Sequence, residues 1–235
     1  MVEEKYSPAV NLLAQQMEAR VKIRKQWKDD AGDLLFAHEA AVSAIATMVS
    51  RFSDKMFEKA SESAEGRLTL TSQFIVGIDL CERAISEGVY TTAAALLKQE
   101  MEIIEAVHEF EVDKRVEGKT PRIGGRLGDF GRLYGLYDEI AHVGKALRGK
   151  EIVQSTDGQK VGASTVPIYD KERTATFYGM HTLFVTVVAI QMGDLMNELY
   201  GEGLNDEEKK FLVLSRVALE KEDIIDIEYP PSDGL

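Results

Sequence analysis

Cysteine is almost absent from these 235 residues: Cys81 stands alone, so no internal disulfide can brace the chain and its stability must come from packing. Proline is scarce as well, five in all with none between residues 9 and 112, which leaves that stretch open to unbroken helices. The longest apolar run, residues 182–191, is about half of what a bilayer-crossing helix needs, so it reads as a buried segment. With no secretory leader read at the N-terminus and a single cysteine, a cytoplasmic location is expected. Excess positive charge is missing too. The net charge of −12 opposes phosphate backbones, leaving nucleic-acid contact to one locally basic segment, 114–132, with Lys114, Arg115, Lys119, Arg122, Arg126 and Arg132. No internal repeat or low-complexity tract is present.

What the sequence does contain is ordinary globular material, 44% hydrophobic and 29% charged. Its length suits one domain, expected over residues 1–228, with a flexible tail at 229–235 that starts at Tyr229-Pro230-Pro231. Apolar residues recur every three or four positions, predicting an all-α antiparallel bundle. Helices are expected at 9–28, 31–60, 68–87, 91–112, 127–148, 171–200 and 206–222. The exception is residues 151–169, where Asp157-Gly158 between β-branched segments predicts a small β-hairpin. The glycine-rich stretch 124–131 lacks both the dinucleotide fingerprint and the Walker ending, and reads as a flexible helix entry.

In a bundle, titratable groups on apolar faces are informative, because burying them is costly unless they are paired or bind something. His38 falls within the stripe Leu34, Ala41, Ile45, Val49, and His181 within Phe177, Phe184, Val188. On the fourth helix Glu100 lands inside the apolar arc, with His108 near its edge. Two Glu-x-x-His units, Glu105 to His108 and Glu139 to His142, have the spacing that carboxylate-bridged di-metal bundles use. His38, Glu105, His108, Glu139 and His181 are therefore the candidate ligands for a divalent transition metal. The helix at 127–148 carries small residues, Gly131 and Gly135, beside Asp138 and His142, a second packing face or a groove floor. Asp138, four residues before His142, is placed to orient it as in an acid–base pair. Cys81, among Ile78, Leu80 and Ile85, is read as core packing.

The run Leu96-Leu97-Lys98-Gln99-Glu100-Met101-Glu102, followed one helix later by Leu136-Tyr137-Asp138-Glu139-Ile140-Ala141-His142, resembles a group of bacterial all-helical proteins. In that group a Leu-Leu-Arg-x-x-x-Glu helix precedes a Tyr-x-x-Leu-Ser-x-x-x-His helix. Lys98 stands where arginine is usual, and Ala141 where serine is expected. The group is similar in outline to HEPN-type and abortive-infection helical domains, some of which are ribonucleases with an Arg-x(4–6)-His motif. Here the arginine before His142 is Arg132, outside that spacing. The resemblance implies Lys98, Glu102, Asp138 and His142 as catalytic positions. Three functions follow as expectations: a protein-interaction module acting as a homo-oligomer, a metal-dependent enzyme, and a HEPN-like ribonuclease.

Overall fold

The computed structural model describes residues 7–57, 59–142, 154–156 and 161–226. Its helices are α1 (Pro8–Asp30), α2 (Leu34–Phe52), α3 (Glu62–Ser86), α4 (Tyr90–Glu111), α5 (Gly131–Ala141), α6 (Lys171–Tyr200) and α7 (Asp206–Lys221), an all-α bundle. Local chemistry fixes their ends. Ser7 caps α1 by accepting from Val10 N, with Pro8 in the first turn, where its missing N–H costs nothing. Ser61 caps α3 through Ala64 N and Asp170 caps α6 through Arg173 N. Gly201 closes α6 in the left-handed region at φ 69°. At α7, Asn205 and Glu208 form a reciprocal capping box. The Arg51 guanidinium also donates to both Glu208 oxygens, at 3.0 and 2.7 Å, fastening α2 to α7.

α6 is the shared wall of the bundle: α2, α3 and α4 pack against it, α5 lies on α4 and α7 on α2. Its most apolar 18 residues have a mean hydropathy of 1.3, and 72% of that window is buried, as befits a core helix. Two glycines set its depth. A Cβ at Gly179 would meet Ile224 at 2.4 Å and one at Gly193 would meet Leu204 at 2.5 Å. Trp27, Phe74, Tyr90, Tyr137, Tyr178 and Phe184 are the largest ring side chains wholly inside.

Several expected boundaries move. The helix expected at 31–60 stops at Phe52, and α3 begins at Glu62 rather than at 68, because Ser61 supplies the cap and Glu62 and Glu65 favour the positive end of the helix dipole. In the 127–148 region, a 3-10 turn at Gly128–Phe130 leads into α5, which ends at Ala141 with His142 in an extended conformation. The hairpin is present in miniature: β1 (Gln154–Thr156) pairs antiparallel with β2 (Val161–Ala163), Ser155 opposite Gly162. The Asp157-Gly158 turn and the tail at 229–235 lie outside the described residues.

Candidate functional site

α4 carries two carboxylates into the interior, and the fold treats them differently. Glu105 is fully buried and accepts four backbone N–H groups: Gly124 (3.1 Å) and Leu127 (2.8 Å) on Oε1, Gly125 (3.0 Å) and Arg126 (2.9 Å) on Oε2. Four donors occupy the lone-pair positions of a carboxylate. The glycine-rich segment 124–127 is thus a turn wrapped on Glu105 rather than a free helix entry. Glu105 anchors that turn and has no lone pair left for a metal. The neighbouring Glu-x-x-His partner, His108, lies with Nδ1 3.4 Å from Glu111 Oε2.

Glu100, five residues earlier on α4, faces the centre of the bundle and is 5% exposed. Its partner is His181 from α6, whose Nδ1 lies 3.0 Å from Oε2 and 2.9 Å from Oε1. A single N–H aims at one oxygen, and the bond to Oε2 has the hydrogen-bonding geometry, so Oε1 is buried without an N–H donor, and the Cys81 thiol is hydrogen-bonded to the same carboxylate. Cys81 arrives from α3. One ligand atom from each of Cys81, Glu100 and His181 lies within 4.8 Å of the others, and all three residues are buried; among the described residues no other such metal-competent group occurs. Burial, and then the neighbouring Glu100, hold the Cys81 thiol well above its ordinary pKa. Tyr137 of α5 is fully buried beside this group, its phenol pushed up by burial and then by Cys81 and Glu100.

The cluster extends to α2 and α1. The His38 ring lies 5.1 Å from that of His181 and edge-on to Tyr178 at 5.4 Å, while Trp27 packs on Tyr178 at 5.0 Å. Burial, together with the nearby His181, lowers the pKa of His38 to about 3, so its imidazole is neutral at physiological pH. His38 Nε2, His181 Nε2, the Tyr137 hydroxyl and Trp27 Nε1 are all buried with no hydrogen-bond partner. Buried polar atoms are normally satisfied, so a concentration of orphaned ones marks a place where something else completes the shell. With Nδ1 donating to Glu100, His181 Nε2 is the ring nitrogen left without a partner.

The positions implied by the resemblance also meet, on the surface. Lys98 Nζ lies 2.7 Å from Asp138 Oδ1, and His142 Nε2 lies 3.0 Å from the same oxygen. Glu102 accepts from Tyr134 at 2.6 Å and lies 3.8 Å from Lys98. The Lys98 ammonium beside Asp138 holds that carboxyl below its usual range. This network is open to water, His142 being 65% exposed, and ion pairs of that kind contribute little to stability.

Of the expected metal ligands, His38 and His181 come together, whereas Glu105 and His108 sit at another level of α4. Glu139, the acid of the second Glu-x-x-His unit, is on α5 outside the Cys81/Glu100/His181 group. Cys81, read from sequence as core, and Tyr137 line the candidate site. Comparison with protein-family models, curated proteins and solved structures gave no match.

Proposed function

We propose that this chain is a metal-dependent enzyme whose divalent transition metal is held by Cys81, Glu100 and His181 inside the bundle. The observation that carries the reading is their convergence from three separate helices, within 4.8 Å and out of water. A thiolate, an imidazole and a carboxylate form a donor set that suits zinc. Three protein ligands leave a position for water or substrate, so the chemistry to expect is metal-assisted hydrolysis. His38 Nε2 and the Tyr137 hydroxyl, both unpartnered, supply a neutral hydrogen-bond acceptor and a donor beside the group.

The test is the metal content of protein purified without a histidine tag and equilibrated with zinc. About one zinc per chain is expected, lost in Cys81→Ser and in His181→Gln while circular dichroism stays that of the wild type. Wild-type protein that takes up no zinc, manganese or iron would sink the reading. Because binding must displace the proton of a thiol whose pKa is raised, affinity should climb roughly tenfold per pH unit through the neutral range.

A second reading, contact with another copy of the chain, is favoured by α1. Val10, Leu13, Met17 and Val21 are exposed at helical spacing along it, and α1 buries only Ile23 and Trp27. Light scattering would report a dimer for the wild type and a monomer for a Leu13→Glu, Met17→Glu double variant. A monomeric wild type refutes this reading.

A further inference from the structure

A groove of about 170 Å³ runs between α3 and α4. Phe74, Leu80, Leu96 and Ile103 are among its walls, Gln73 and Gln99 carry amides beside it, and Cys81 and Glu100 also line it. Val76 and Leu80, 84% and 57% exposed, put large apolar side chains at its rim. The groove therefore joins the surface to two of the three residues in the buried group.

Gly77 also lines the groove. Glycine inside a helix costs about 1 kcal/mol relative to alanine, so an interior glycine calls for a reason. The other glycine of α3, Gly66, has a steric one: a Cβ there would meet the Phe110 ring at 2.5 Å. At Gly77 a Cβ would meet nothing within 4 Å. On the helix it stands angularly between Gln73 and Leu80 on one side and Phe74 and Cys81 on the other, where any side chain would project toward the groove. Its absence keeps the passage open.

We infer that this groove admits the alcohol that the metal-assisted hydrolysis releases, a small and mostly apolar molecule about the size of one six-membered ring, bearing a single neutral hydroxyl directed at Glu100. The inference takes its catalytic meaning from the metal centre proposed above. A cavity of roughly 150 Å³ lined by apolar side chains is known to accommodate benzene, and this one is slightly larger. Its walls match a hydrocarbon body. Glu100 Oε1, buried and without an N–H or O–H donor, matches a hydroxyl, and the carboxylate excludes anions of the same size.

Metal-free protein titrated with phenol, followed by methyl NMR, provides the test. Saturable shifts are expected at Leu80, Leu96 and Ile103, with benzoate weaker by at least about tenfold, since its charge would face Glu100. Gly77→Leu places an isobutyl group in the groove and removes a helix glycine. It should weaken phenol by at least about tenfold while the Tm stays at or above that of the wild type. Leu96→Phe, narrowing the groove from α4, should weaken phenol similarly. No saturable shift, equal binding of benzoate, or undiminished phenol binding in both folded variants overturns the inference. Zinc content of the same samples separates the two ideas: zinc retained without phenol binding removes the groove alone, and phenol bound without zinc uptake removes the metal centre alone.

Discussion

Glu100 and Glu105 lie on one helix, five residues apart, both buried, yet one has four backbone donors and the other shares a single imidazole. Burying a carboxylate is tolerable when hydrogen bonds replace its hydration. At Glu105 that replacement is complete, and the acid is a fastener for the 124–127 turn. At Glu100 it is incomplete, and three of the groups around it, Tyr137, His181 and His38, are themselves short of partners. A shell finished by the chain is structural. A shell left unfinished in the core is where a ligand belongs.

The sharpest break of this contrast is Glu105→Gln, which puts an N–H₂ group where amide donors converge. It should cost about 3 kcal/mol in denaturant unfolding and leave the zinc content unchanged; a loss well under 1 kcal/mol would remove the anchoring role. Next in size is an acid effect at His38, whose ring faces Tyr178 and His181. Its folded pKa lies near 3 against the ordinary 6.5, so the unfolded chain binds the proton first. The resulting stability is complete above pH 6.5 and drains away as pH falls toward 3, by about 1.4 kcal/mol per unit. Below about pH 4 exposed carboxylates such as Asp138, held low by Lys98, add to the same trend. His38→Phe should flatten the slope between about pH 6.5 and 4, and a variant as acid-sensitive as the wild type would refute the assignment. Glu100→Gln should shift stability by only about 1 kcal/mol, since the amide still accepts from His181, but abolish metal uptake. Smallest of all, His142→Ala should stay within about 0.5 kcal/mol of the wild type, because its contact with Asp138 is solvated.

Much of the fold was legible because helical periodicity is local: six of the expected helices lie over α1–α4, α6 and α7, and α5 covers 131–141 of the seventh, expected at 127–148, whose residues 143–148 lie outside the described residues. The inward placement of His38, His181 and Glu100 was legible for the same reason, since each stands on an apolar stripe of its own helix. Their meeting was not, because it depends on the depth at which each helix crosses its neighbours. The Glu-x-x-His spacing pointed to Glu105 and His142, yet spacing places two residues on one face without saying what that face meets. Glu105 met a turn twenty residues downstream, and His142 met Asp138 at the exposed surface. Cys81 looked like core because its neighbours are apolar, and it is core; nothing in its own sequence shows that Glu100 and Tyr137 close over it.

The glycine notches of α6 act like detents on a sliding bolt. With Ile224 seated at Gly179 and Leu204 at Gly193, a shift of one residue along the axis would bring side chains into both seats, so the helix has one resting position. His181 lies two residues beyond the first notch, and Gln191, which donates to Ile104 O at 3.0 Å, lies two before the second. Anything that grips His181 is therefore gripping the whole rod. Amide hydrogen exchange should accordingly slow together at both notches of α6, around residues 179–182 and 191–194, when the centre is filled.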